Sequence, residues 1–234
     1  MKMAKDSKRR NFTLVELLVV VVIIAIILGI TAPAFSRLMV GNSVDSAARM
    51  VSSQLMLARA EAIAKRTYVA VIMPGKNISV PSTNQDVYNR QAFRSAYVEP
   101  DSGNTYKFKE WVPGTQWNFL PNGALIATVD TNNSSIVENS GEWIPSSTWT
   151  QTDGAGITDV KDGATADEHI FKGQDNSGVR AIVFRSNGRA VERMYITVME
   201  GICMDNDSDI ERANAKNIRV MEVNKYTGQT RYIY

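Results

Sequence analysis

Cysteine and histidine are nearly missing, with one of each in 234 residues. One cysteine excludes an internal disulfide and any Cys-based zinc site. One histidine leaves no material for a His-rich metal centre. No HExxH, GxSxG or Gly-rich phosphate loop occurs, so the common hydrolase and nucleotide-binding signatures are lacking as well. Neither sign of charge dominates: 26 basic and 24 acidic side chains give a net charge of +2, too little to argue for nucleic acid. Apolar residues make up 44% of the chain and charged residues 21%, enough to bury a core without requiring disorder. The length allows one domain, or one domain with an anchor.

The charge that is present is unevenly placed. Residues 1–11 hold five of the basic and one of the acidic side chains, which leaves 21 basic and 23 acidic in the remainder. A run without any charge follows, from Leu17 to Ser36. Its twenty residues meet the length needed to cross about 30 Å of hydrocarbon at about 1.5 Å per residue. Lys8, Arg9 and Arg10 precede the run and Arg37 stands alone after it, which by the positive-inside bias puts the N-terminus in the cytoplasm. Three readings follow. Ala32-Pro33-Ala34 has the form of a signal-peptidase site, so the segment reads as a removed secretory leader. It also reads as a plain single-pass anchor, or as an anchor trimmed on its cytoplasmic side. Against the leader stand the length of the run, Pro33 within the would-be cleavage triplet, and a helical pattern that continues beyond it.

Glu16 stands at the cytoplasmic edge of this run. Thr13-x-x-Glu16 has the form of a capping box, in which the acid also meets the positive end of the helix dipole. An acid next to an intramembrane segment is also a functional candidate.

Lys8-Arg9-Arg10-Asn11-Phe12-Thr13-Leu14-Val15-Glu16-Leu17-Leu18-Val19-Val20 resembles the signal of type IV prepilins and pseudopilins. The resemblance implies cleavage by a prepilin peptidase between Asn11 and Phe12, N-methylation at Phe12, and an assembly role for Glu16. It implies other pilin subunits and an inner-membrane assembly platform as partners, and no cofactor. It also implies a single-pass inner-membrane protein whose body becomes periplasmic or is displayed on a filament. Asn11 stands where that family has Gly before the cut. In a bundle of such helices the Glu16 carboxylate of one subunit would neutralise the new amine of a neighbour, because an unpaired charge in low dielectric is costly.

Beyond Pro33, Val44, Ala48, Val51, Leu55, Ala58 and Ala62 repeat at helical spacing, with Asp45, Ser46, Arg49, Ser52, Ser53, Arg59 and Lys65 on other faces. The pattern predicts one helix from about Thr13 to about Lys65, roughly 80 Å long, whose second half packs on the chain's own sheet. Pro33 removes a backbone donor and Gly29 is a poor helix former, so the two mark a candidate kink.

From Tyr68 the period changes to that of strands. Strands are predicted at 68–73, 106–111, 117–120, 179–184, 195–198, 218–223 and 230–234, with turns at Pro121-Asn122-Gly123, Ser186-Asn187-Gly188 and Tyr226-Thr227-Gly228. The fold class is α+β, a long N-terminal helix packed on antiparallel sheets. The expected divisions are a leader at 1–11, an assembly helix at 12–36, an amphipathic helix at 37–66 and a β-rich body at 67–234. Residues 55–64 with 68–73, and 182–189 with 217–234, resemble the H-type minor pseudopilins of type II secretion and FimT-like minor pilins. Residues 76–178 carry no resemblance and hold all four tryptophans, of which Trp143 and Trp149 are read as core or as recognition residues.

The remaining candidates are bland. Asp205, Asp207 and Asp209 make an oxygen-rich loop, but Ile210 and Lys216 break the EF-hand spacing, so the reading is a solvated acidic loop with a weak calcium alternative. Cys203 reads as a small apolar residue and His169 as a surface residue. Arg212, Lys216, Arg219, Lys225 and Arg231 interleave with acids and read as a mixed-charge face, with DNA binding of the competence type as the alternative. The expected function is a non-enzymatic minor pilin or pseudopilin subunit of a type II secretion pseudopilus or type IV pilus-like filament.

Overall fold

A computed structural model describes residues 13–75, 88–131, 136–139, 142–145, 155–162, 169–171, 179–203 and 210–233. Of these, 30–41, 136–139, 142–145, 161–162, 169–171, 180, 202–203 and 210–216 are described by their backbone alone. The chain divides into two units, Met1–Met39 and Val40–Tyr234.

Helix α1, Leu14–Lys65, occupies the predicted range. The backbone is helical through Gly29 and Pro33. The helix ends in a Schellman arrangement, in which Thr67 N–H donates to Ala62 O at 3.2 Å and Arg66 N–H to Ile63 O at 3.4 Å. Arg66 takes the left-handed φ of 52° that glycine usually supplies there. Within the second unit the predicted stripe is buried throughout: Val44, Val51, Leu55 and Ala62 at 0%, Ala48 at 1% and Ala58 at 2% exposure. Ala47 joins them. Each fully buried Val or Leu contributes about 1.5–3 kcal/mol.

Strand β1 (Tyr68–Ile72) returns beneath the helix, and β2 (Ala92–Pro100), β3 (Thr105–Trp111), β4 (Asn118–Phe119) and β5 (Ala124–Asp130) follow. Then come β6 (Ile136–Asn139), β7 (Glu142–Pro145), β8 (Ala155–Thr158), β9 (Val160–Asp162), β10 (His169–Phe171), β11 (Val179–Phe184), β12 (Met194–Cys203), β13 (Ile210–Val223) and β14 (Thr230–Tyr232). The pairings β1–β11, β11–β8, β8–β3, β3–β2 and β2–β1 close a ring of five strands. Closure removes the free edges that would otherwise template aggregation. Barrel diameter falls with strand number, so a five-stranded ring is narrow and small side chains help to fill it. Its core holds Ala70, Ala96, Ala155 and Ala181 with Ile72, Val98, Ile157, Val160, Val179 and Val183, and Tyr106 packs with them. Alternate residues of the same strands, Val69, Val71, Phe93, Tyr97, Ile182 and Phe184, face outward to the helix stripe. β1 is therefore buried on both faces, which explains its unbroken apolar sequence.

A second, antiparallel sheet in the order β14-β13-β12-β5 places Ala124, Ile126, Met194, Ile196, Val198, Met221 and Val223 in the same core as the helix stripe. β6–β7 and β9–β10 form two separate antiparallel pairs.

The α+β expectation holds, and so do the strands foreseen at both ends of the body. Among the described strands one pairing departs from the antiparallel rule: β3 and β8 run parallel. Parallel neighbours need a long crossover, and periodicity carries no information about strand direction. The sequence reading does not foresee β2, β5 or the short strands β6 to β10: Arg94 and Ser95 interrupt the apolar alternation of β2, and the apolar run Ala124–Ala127 of β5 carries no period.

Candidate functional site

The first turn of α1 closes on itself. Thr13 N–H and Thr13 Oγ1–H each donate to Glu16 Oε2 at 2.9 Å. In return, Glu16 N–H donates to Thr13 Oγ1 at 3.2 Å. Leu17 N–H makes the first helical bond, to Thr13 O at 3.3 Å. This is the reciprocal capping box that Thr13-x-x-Glu16 predicts, and it satisfies donors that a helix start otherwise leaves open. Both side-chain bonds use Oε2, so among the described residues Glu16 Oε1 remains open to an outside donor.

Behind this cap the helix carries exposed apolar surface. From Leu14 to Leu28, every Val, Leu and Ile is between 47% and 80% exposed. Uncovered apolar surface on this scale marks a protein or membrane contact. Among the described residues no helix is long and apolar enough to cross a membrane. The uncharged run extends to Ser36, past Leu28, the last described side chain of this unit.

Asn11 and Phe12 lie outside the described residues. Gly29 is helical, with nothing within 4 Å of where a Cβ would stand, and Pro33 is helical by its backbone. Asp205, Asp207 and Asp209 lie outside the described residues, as does Trp149. Among the described residues no group of metal-binding side chains comes together. Cys203 ends β12, His169 opens β10 and Trp143 lies on β7.

The second unit holds its share of α1 by polar contacts that the stripe does not reveal. Gln54 Nε2 donates to Ser95 Oγ at 2.7 Å in a buried contact. Tyr97 Oη donates to Glu61 Oε1 at 2.5 Å. That hydrogen bond, then burial, then the charges of Glu61 and Glu110 push the Tyr97 phenol up to about 12. Arg59 Nε donates to the carbonyls of Gly188 at 3.1 Å and Thr227 at 2.9 Å, joining two turns beneath the helix. Asp45 pairs with Arg219 at 2.7 Å, beside a cleft of about 440 Å³ lined by Asp45, Ala48, Arg49, Arg219 and Tyr232. The sequence places Asp45, Ser52 and Arg59 on polar faces, and Ser52 is instead buried at 6%. The signal that was available is spacing: Gln54, Glu61 and the stripe residues Val51, Leu55 and Ala58 fall within the same arc of the helix.

Of the five basic residues near the end of the chain, Arg212 and Lys216 are described by their backbone alone, and two of the other three have acidic partners. Arg219 binds Asp45, and Arg231 binds Glu222 at 2.6 Å. Arg193 reaches the other oxygen of the Glu222 carboxylate at 3.2 Å, and that side chain is only 2% exposed. Trp111 and Trp117 meet edge to face at 5.3 Å, with the Arg94 guanidinium 4.3 Å from the centre of the Trp111 ring.

Residues 7–32 match the family described as the prokaryotic N-terminal methylation motif. Among solved structures, the chain is similar to the minor pseudopilin EpsH from the Type 2 Secretion System of Vibrio cholerae. The two share 10% identity at a TM-score of 0.39, covering 82% of this chain and 96% of the other. It is also similar to the type IV minor pilin FimU of Pseudomonas aeruginosa, with 12% identity, a TM-score of 0.39 and coverage of 82% and 90%. At these TM-scores neither likeness bears on what the chain does. No curated protein matches. The N-terminal segment carries the methylation signal that the sequence resemblance to type IV pilins and pseudopilins implied, and the fold class is the one it implied.

Proposed function

We propose that this chain is a non-enzymatic subunit of a type IV pilin-like filament, anchored and assembled through the first part of α1. The observation that carries the reading is the methylation motif at residues 7–32 with the Thr13–Glu16 capping box inside it. The chain inserts with residues 1–11 in the cytoplasm and the body outside. Prepilin peptidase cuts between Asn11 and Phe12 and methylates the amine of Phe12. Thr13 stays on the mature side of the cut, so the cap survives maturation. The inner-membrane platform then draws the subunit out of the bilayer, and its apolar rod packs among those of other pilin subunits.

Charge supplies the register. Glu16 Oε1 accepts the cationic amine of a neighbouring subunit while Oε2 holds its own helix start. A slip of one turn would leave an acid and an amine unpaired in low dielectric, at a cost of several kcal/mol. A minor position in a type II secretion pseudopilus is the finer reading, and it rests on the resemblance of residues 55–64 with 68–73 and of 182–189 with 217–234. The DNA-uptake alternative gains no support from Arg219 and Arg231, which already hold acidic partners.

Intact-mass analysis of the protein recovered from membranes tests the reading. A product that begins at methylated Phe12 is expected. A product that begins near Ala34 or Phe35, with the rod removed as an ordinary leader, would overturn it.

A further inference from the structure

The chain contains two Asn-Gly pairs, Asn122-Gly123 and Asn187-Gly188, and the fold treats them differently. Both asparagines are exposed on turns, but the glycine that follows is half-buried at 123 and buried at 188. In the first turn, Ala124 N–H donates to Pro121 O at 3.1 Å, with Gly123 at a φ of 85°. Among the described residues, neither the Asn122 amide nor Gly123 N–H has a hydrogen-bond partner. In the second turn both reacting groups are engaged: Gly188 N–H donates to Arg185 O at 2.8 Å, and Asn187 Oδ1 accepts from Arg189 N–H at 3.1 Å. Gly188 is also held from outside. Arg59 Nε binds its carbonyl, and a Cβ on it would lie 2.6 Å from Ile63 Cδ1.

We infer that Asn122 is a site of spontaneous deamidation in the folded protein and that Asn187, the same dipeptide, is protected by its fold. Solvent base removes the proton from Gly123 N, and the nitrogen attacks Asn122 Cγ. A C–N bond forms, and the side-chain amide nitrogen departs as ammonia, taking its added proton from water. The resulting succinimide is opened by water at either carbonyl, which leaves aspartate or isoaspartate. The net reaction consumes one water and releases one ammonia, with no oxidant or reductant. At position 187 the same attack requires the Gly188–Arg185 bond to open and the side-chain amide to swing off Arg189, against packing from Arg59 and Ile63. Its rate is therefore scaled down by the population of that local opening.

The change has a structural consequence. Gly123 O accepts from Gly201 N–H at 3.0 Å, a bond that starts the β5–β12 ladder. Isoaspartate adds a backbone carbon immediately before Gly123 and displaces this carbonyl.

The detergent-solubilised full chain is held in mildly alkaline buffer at physiological temperature and sampled by peptide mapping with mass spectrometry. A parallel sample is denatured in urea. Conversion at Asn122 at least about tenfold faster than at Asn187 is expected in the folded protein, with similar rates at the two sites in urea. Asn122→Gln removes the fast phase and leaves that of Asn187. Amide exchange at Gly201 is faster in the isoaspartyl fraction than in Asn122→Asp, whose backbone has normal length. Equal rates at the two sites in the folded protein overturn the inference. So does an intact Asn122 after the denatured chain has converted.

Discussion

A Cβ placed on Gly228 would lie 2.0 Å from the carbonyl oxygen of Gly188. The two glycines belong to different turns, one before β12 and one between β13 and β14, some forty residues apart. Both take positive φ, 65° at Gly228 and 76° at Gly188. Arg59 binds the carbonyls of Gly188 and Thr227 from the helix, so three segments meet where no side chain fits. Asn224 prepares its turn by accepting Tyr226 N–H and Thr227 N–H on Oδ1.

Substitution at this junction is graded by what the new methyl meets. Gly228→Ala meets backbone, which cannot give way, and should cost about 3 kcal/mol from strain and overpacking together. Gly188→Ala meets the flexible tip of Ile63 and should cost about 1–2 kcal/mol, mostly from its left-handed backbone. Urea midpoints with unchanged slopes would report the order. A Gly188 variant less stable than the Gly228 variant would show that the carbonyl contact is not the limiting one.

Tyr97 predicts a change of stability at alkaline pH. Its phenol titrates near 12 in the folded protein against an ordinary value of 10. A phenol is neutral when protonated, so the raised value means that the fold favours the protonated form. The contribution is complete below about pH 10 and is lost as pH rises from about 10 through about 12. Tyr97→Phe should flatten that part of the stability profile and cost about 1 kcal/mol at neutral pH, since Glu61 is half-exposed and finds water instead. Chemical denaturation at a series of pH values checks both expectations.

Arg66 ends the helix in a conformation suited to glycine. Relief of left-handed strain, about 1–2 kcal/mol, outweighs the added freedom of the unfolded chain, about 0.4–1 kcal/mol. Arg66→Gly should therefore stabilise the protein by up to about 1 kcal/mol, read as a higher thermal midpoint. A lower midpoint would mean that the Arg66 side chain holds a contact outweighing the strain.

The acid of the first turn separates anchoring from assembly. Glu16→Ala should leave membrane insertion intact and reduce incorporation into filaments, measured by fractionating membranes and sheared filaments. Thr13→Ala, which removes only the cap, should weaken the helix start by about 1 kcal/mol and leave incorporation largely in place. Normal incorporation of Glu16→Ala would sink the charge-pairing account.

Much of this protein was determined locally. The capping box needs only two residues three apart, the rod only an uncharged run, and the buried stripe only a period of 3.6, and each appears where the pattern put it. Tertiary structure decided the rest. Whether five strands close into a ring depends on which edges meet, and the parallel pairing of β3 with β8 is a choice of direction that periodicity does not encode. The alanines of the ring read as weak strand formers in sequence, and only the narrow interior gives them a reason. Arg59 reads as a solvated cation until two turns from the far end of the chain bring their carbonyls to it. Helical and strand periods are properties of neighbours along the chain. Strand partners, closure and the Gly188–Gly228 contact are properties of segments that find each other only after the chain has folded.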